Sequence, residues 1–161
     1  MLATQTNLSV SDTDRAKVIV SEQSGCWAAA LRRALGPAVR IHETRSVVEC
    51  WEDLAAAPDS LLVVEVTTGN LESFLERMAR REREYPQARV AVVADRRLGT
   101  CRWLLLEAGA VLFVTSPRRL DGLAALAQRH LAAQPELAAE KTQKIWATLP
   151  WKERNAVVDS G

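Results

Sequence analysis

Leu61-Leu62-Val63-Val64-Glu65-Val66 is the stretch that decides the fold. It is aliphatic apart from Glu65, and Pro58-Asp59 before it and Gly69-Asn70 after it are chain-turning residues. A short run of this kind is a strand, and the lack of polar alternation requires cover on both faces. Downstream, Asn70–Glu84 has helical spacing, with Leu71, Phe74, Leu75 and Met78 on one side and Glu and Arg elsewhere. Val90–Ala94 (VAVVA) is a second buried strand, and Thr100–Ala108 reads as a helix ended by Gly109. Val111–Val114 is a strand followed by Ser116-Pro117, and Asp121–Ala133 is a helix capped by Asp121 or a near neighbour.

Upstream the same alternation holds. Val47–Ala57 is helical and stops at Pro58-Asp59, while Val39–Glu43 alternates apolar and polar residues as an edge strand does. Cys26–Leu35 is a helix with Trp27, Ala30, Leu31 and Ala34 on one face, closed by Gly36-Pro37, and Val18-Ile19-Val20 is a β-branched strand. Five strand–helix units in succession imply a parallel sheet with helices on both faces. Continuous apolar character makes the first, third and fourth strands central, and alternation places the second at an edge. The order 2-1-3-4-5 meets both conditions, giving an α/β three-layer sandwich of the flavodoxin-like kind. In that architecture ligands sit beyond the carboxyl ends of the strands. Those ends carry Ser21-Glu22, Glu65 to Gly69, Ala94-Asp95 and Thr115-Ser116-Pro117.

Composition narrows the function. The 161 residues carry a net charge of +1, which makes no general bid for nucleic acid or an anionic membrane. No apolar run approaches the ~20 residues that span a bilayer, and the first fifteen residues are a polar leader without a signal-peptide pattern. Cys26, Cys50 and Cys101 are far apart and join no close pair with His42 or His130, so they read as reduced thiols of a cytoplasmic protein, not as a zinc site. Arginine outnumbers lysine 17 to 4, and no lysine occurs between Lys17 and Lys141.

Over residues 16–133 the chain resembles the receiver domains of response regulators, the CheY-like family. The resemblance rests on the ordered five-unit pattern, on LLVVEV, and on Glu107-Ala108-Gly109-Ala110 followed by Phe113, Val114 and Pro117. It implies a pocket holding two acids after the first strand for Mg²⁺, an acceptor aspartate ending the third, a hydroxyl after the fourth and a lysine after the fifth. In this chain those positions align with Ser21 and Glu22, Glu65, Ala94 and Ser116. Pro117 is retained, and the resemblance implies a cis bond before it. One metal-binding acid, the hydroxyl and the lysine are absent, and Glu65 carries its carboxylate one methylene further out. Phosphoryl transfer is mostly positioning and electrostatics, so it tolerates these changes poorly. The expected protein is a degenerate, non-phosphorylatable pseudo-receiver: a non-enzymatic, cofactor-free interaction module in two-component-type signal transduction. Glu65 is expected either to be held by a local hydrogen-bond partner or to imitate a phosphorylated aspartate in a fixed state.

Other readings remain beside this one. Ser21 to Cys26 resembles a phosphate loop at a helix N-terminus, as a flavodoxin-like flavin protein or a doubly wound phosphate or nucleotide sensor would have. Glu22 with Glu65 is the minimal carboxylate pair for a divalent cation. Arg96, Arg97, Arg102, Arg118 and Arg119 form a basic rim at the end of the fourth and fifth units. His42 and His130 read as surface residues, and Trp27 and Trp51 as core. Trp103-Leu104-Leu105-Leu106 has no clean polar face, so Trp103, Leu104 and Leu106, with Phe113, Arg118 and Arg119, are expected to build a homodimer or protein-partner interface. The resemblance implies the same face, made of the fourth helix, fifth strand and fifth helix. Residues 134–161 are expected to form a tail with a sixth helix from Pro135. Its Ile145, Trp146, Leu149 and Trp151 would either fold back on the domain or dock on a partner.

Overall fold

The computed structural model describes residues 16–148, with side chains through residue 134; the leader and residues 149–161, Leu149 and Trp151 among them, lie outside the described residues. The elements are β1 (Val18–Ser21), α1 (Trp27–Leu35), β2 (Ile41–Thr44), α2 (Val47–Ala56), β3 (Leu61–Val66), α3 (Leu71–Glu84) and β4 (Arg89–Ala94). A 3-10 segment, Arg96–Cys101, leads into α4 (Arg102–Glu107), and β5 (Leu112–Val114) and α5 (Asp121–Thr148) complete the chain. The five strands form one sheet of order β2-β1-β3-β4-β5. Every pairing is parallel, with Val18 opposite both Ile41 and Leu61, Leu61 opposite Arg89, and Ala91 opposite Leu112. The architecture expected from the strand pattern is the one observed.

The period of two along each strand splits the core into two layers. Ile19, Leu62, Val64, Val66, Val90 and Val92 pack with Trp51, Leu54, Phe74, Met78 and Leu105, on the side of α2, α3 and α4. Val18, Val20, Leu61, Val63, Ala91 and Val93 pack with Trp27, Leu31, Leu123 and Ala127, on the side of α1 and α5. In β3 only Glu65 is not fully buried. The edge strands β2 and β5 are mostly half-buried, as their positions require.

Local chemistry fixes the helix ends. Ser46 caps α2 by accepting the amide of Glu49 at 3.1 Å, and the Glu49 carboxylate accepts the amide of Arg45 at 3.1 Å, a reciprocal arrangement close to a capping box. Gly109, in the stretch that carried the resemblance, has φ +101, and a Cβ there would lie 3.1 Å from Nη2 of Arg81. Glycine is needed there for its backbone angle, and a Cβ would also press the Arg81 guanidinium aside by a few tenths of an ångström.

The structure departs from the sequence reading in several places. In α1, Ala34 is exposed, and Ala28 and Leu35 join Trp27, Ala30 and Leu31 in the core. The fourth helical unit begins earlier than Thr100: Asp95 accepts the amide of Arg97 at 2.9 Å and starts the 3-10 turns, and Leu98 anchors them in the core. No separate sixth helix starts at Pro135. Proline lacks the N–H that would bond the carbonyl of Leu131, yet α5 runs through it for 28 residues, about 42 Å at 1.5 Å per residue. The helix makes no turn between Ala133 and Thr148, and the remainder of the tail lies outside the described residues.

Candidate functional site

The carboxyl ends of β1, β3, β4 and β5 meet at an open depression of about 360 Å³, lined in part by Ser24, Trp27, Glu65, Ala94, Arg96, Thr115 and Pro117. Glu65, Ala94 and Pro117 are thus brought together as the resemblance implies, while Ser21, Glu22 and Ser116 do not line it.

Glu22 is buried, 2% exposed, directly after β1. Cys26, at the N-cap of α1, provides no side-chain cap. Glu22 provides it instead. Its carboxylate accepts the amides of Trp27 at 2.7 Å and Ala28 at 2.9 Å, and the hydroxyl of Ser24 lies at 3.4 Å. A buried carboxylate is tolerated when hydrogen-bonded, and the positive end of the helix favours it.

Glu65 is half-buried, and its Oε2 accepts the amides of Gln23 at 2.7 Å and Ser24 at 3.1 Å. Two consecutive backbone amides converging on one anion form a nest. From its other side the residue is held by Asn70, whose Nδ2 donates to the Glu65 carbonyl at 2.9 Å while its Oδ1 accepts the amide of Thr67 at 2.8 Å. Thr67 to Asn70 is a turn closed by the Asn70 amide on the Thr67 carbonyl at 3.3 Å, and the Asn70 side chain reaching back over it fixes the end of β3. The sequence reading identified the carboxylate but not its partners. They lie 42 and 41 residues away, on a loop chosen by the sheet register, not by local spacing.

This arrangement bears on each of the other readings. Gln23, Ser24, Trp27 and Ala28 offer the amides that a phosphate loop would use, and all four are already taken by Glu65 and Glu22. A phosphate at Ser21 to Cys26 would have to compete with two carboxylates of the chain for these four amides. Glu22 and Glu65 each point at backbone amides. Among the described residues no group of three His, Cys, Asp or Glu converges as a metal-binding cluster. Ala94 is fully buried and brings no hydroxyl, and Ser116 is half-buried in a turn, its carbonyl accepting the amide of Arg119 at 3.1 Å and its hydroxyl facing the amide of Arg118 at 3.4 Å. No cis peptide bond occurs among the described residues, so the cis bond implied before Pro117 is not observed. Trans is the lower-energy isomer of an X–Pro bond, and this turn imposes no other.

Arg96 lines the depression; Arg97, Arg102, Arg118 and Arg119 are exposed and do not line it. None of the five forms a salt bridge among the described residues. On the outer face of α4, Trp103 is 73% and Leu104 48% exposed, with Val111 before β5 at 41%. Leu105 faces the core, and Leu106 and Phe113 are half-buried. Of the two histidines, His42 is exposed but pairs with Asp53 at 2.9 Å. His130 is buried, not on the surface; its Nε2 lies 2.8 Å from the Asp59 carbonyl, and burial pushes its pKa down. Burial likewise lifts the Cys50 thiol to about 12, so it is inert.

Compared by sequence, the chain matches no family model and no curated protein. Solved structures resemble it in fold. A response regulator from Thermotoga maritima superposes with a TM-score of 0.61 at 24% identity, over 73% of this chain and 98% of that one. A CheY-like protein (tadZ) from Pseudomonas aeruginosa PAO1 gives 0.58 at 21% identity, over 72% and 99%. An adenylate cyclase structure from Rhodopirellula baltica gives 0.53 at 14% identity, over 84% and 99%. The chain has the CheY-like receiver fold. Likeness at this level is a statement about architecture, and function has to be argued from the site.

Proposed function

We propose that this chain is a receiver-type signalling module that does not transfer phosphoryl groups and acts by protein–protein contact. One observation carries the reading: the carboxylate at the acceptor position, that of Glu65, is engaged by the amides of Gln23 and Ser24. The fixed-state expectation thereby gains a physical form. A charge borne by the protein itself holds the β1–α1 loop, where a switchable receiver would depend on an added one.

Three further features support it. Ala94 and Ser116 stand where a hydroxyl and a lysine would grip phosphoryl oxygens. The carboxylate of Glu22 is committed to the N-terminus of α1. The apolar face of α4 next to β5 is open to a partner or a second copy of the chain, with Trp103 and Leu104 as its exposed anchors.

Chemical inertness is the test. Incubation with acetyl phosphate and Mg²⁺ is expected to leave the intact mass unchanged, and Mg²⁺ alone to leave the melting temperature unchanged. A gain of one phosphoryl mass that disappears in Glu65→Ala overturns the reading.

A further inference from the structure

A second recess, of about 310 Å³, lies away from the depression, between the first residues of β4 and the middle of α5. Arg89, Arg129, His130 and Gln134 line it, with Leu126 and Ala133 as an apolar wall. Among the described residues no acidic side chain lines it. Arg89 makes no ion pair among the described residues, and Arg129 only donates from Nε to its own helix, at the Ala125 carbonyl, 3.3 Å away.

The hydrogen-bonding of His130 fixes the polarity of the remaining groups. A carbonyl only accepts, so the Nε2 that lies 2.8 Å from the Asp59 oxygen carries the ring proton. The side-chain amide of Gln134 approaches that same Nε2 at 3.3 Å, and its other terminal atom is buried without a partner. Opposite an N–H, the facing amide atom has to be the carbonyl oxygen. The unpartnered atom is then the NH₂ group. Among the described residues, therefore, two guanidinium groups and one buried amide donor line the recess without a carboxylate among them.

We infer that this recess is a binding site for a small phosphomonoester, its phosphate gripped by Arg89 and Arg129 and its carbon skeleton lying against Leu126 and Ala133. Arginine's planar fork matches phosphate oxygens two at a time. The volume is at the lower end of small-molecule sites, which suits a short phosphorylated metabolite and not a dinucleotide. The inference stands apart from the proposed function, because it uses none of the residues of the depression or of the α4 face.

The test uses the full chain, with glycerol 3-phosphate and inorganic phosphate as probes and potassium chloride at matched ionic strength as reference. Both probes are expected to raise the melting temperature saturably above the chloride reference, glycerol 3-phosphate at the lower concentration. Arg89→Gln and Arg129→Gln are each expected to weaken binding at least tenfold. Both side chains are exposed, so both variants should fold, and Arg102→Gln, on the other side of the sheet, should bind as wild type. A rise no greater than that in chloride, a rise that survives in either arginine variant, or an equal loss in Arg102→Gln overturns the inference.

Discussion

The Glu65 carboxylate accepts the backbone amide of Gln23 at 2.7 Å and so ties the end of β3 to the loop after β1. The same oxygen takes the Ser24 amide, and Glu22 takes the amides of Trp27 and Ala28 at the start of α1. Two acidic residues that sequence alignment places in a phosphorylation pocket thus work as internal anchors.

If Glu65 holds the loop, weakening its charge should loosen the loop before it unfolds the domain. Glu65→Gln keeps an oxygen in place but loses the charge-assisted bonds, at a cost of about 1 kcal/mol in a half-exposed setting. Glu65→Ala should cost about 2 kcal/mol. Hydrogen exchange is expected to accelerate at Gln23 and Ser24 while Ala91, in the centre of the sheet, keeps its protection. Unchanged exchange at the two loop amides would show that the carboxylate does not hold them.

Glu22 should matter more to stability, because the amides it serves are buried. Glu22→Ala strands the N–H groups of Trp27 and Ala28 at the helix start, and a loss of about 2–3 kcal/mol follows. Glu22→Gln retains one acceptor and should lose roughly half of that. Urea midpoints at constant slope measure both. Equal losses in the two variants would point to packing volume as the cause.

The parts of this protein legible in the sequence are those set by period and burial. LLVVEV and VAVVA could only be central strands, and the alternation over Val39–Glu43 marked the edge. What escaped was set by contacts between distant segments. The Glu65 amide partners and the Asp59 partner of His130 depend on register and packing that no local spacing encodes. The start of the fourth helical unit was missed because Arg96-Arg97-Leu98-Gly99 has no helical apolar period: a single buried residue, Leu98, and the Asp95 cap hold it. Pro135 was read as a helix start because proline favours a first turn, and here the preceding turns of α5 outweigh its missing hydrogen bond.

His130 should make stability depend on pH. Burial lowers its pKa in the folded chain; the hydrogen bond to the Asp59 carbonyl opposes this in part, and Arg89 adds a smaller push downward. Below its ordinary value, about 6.5, the unfolded chain binds a proton that the folded chain does not. Stability therefore falls as pH drops through about 6.5 toward the lowered folded value, and levels off below it. The measurement is the urea midpoint against pH in a His42→Asn background, so that one histidine titrates. His130→Gln, which keeps a donor for the Asp59 carbonyl, should flatten the profile above about pH 5, where carboxylates remain ionised. Parallel profiles with and without His130 would refute the assignment.

The α4 face carries the last prediction. Successive helical residues turn by about 100°, so Leu105 in the core forces Trp103 and Leu104 outward. They are 73% and 48% exposed, and Val111 adds a further 41%-exposed side chain before β5. Single exposed apolar residues are ordinary, but a neighbouring Trp and Leu with a second apolar residue nearby form a patch that association covers. Unpaired Arg102 beside them, and Arg118 and Arg119 after β5, give the polar border that surrounds such anchors. In sedimentation at rising concentration the wild type is expected to self-associate. Leu104→Glu places a charge in that interface and should weaken the dimer by at least tenfold in Kd, about 1.4 kcal/mol or more. Because Leu104 is nearly half exposed, the same change should leave the folding stability of the monomer within about 0.5 kcal/mol of wild type. Trp103→Ala should act in the same direction without introducing charge, which separates loss of an anchor from repulsion. A wild type that stays monomeric throughout, or a Leu104→Glu variant that unfolds instead of dissociating, would remove α4 as the dimer contact.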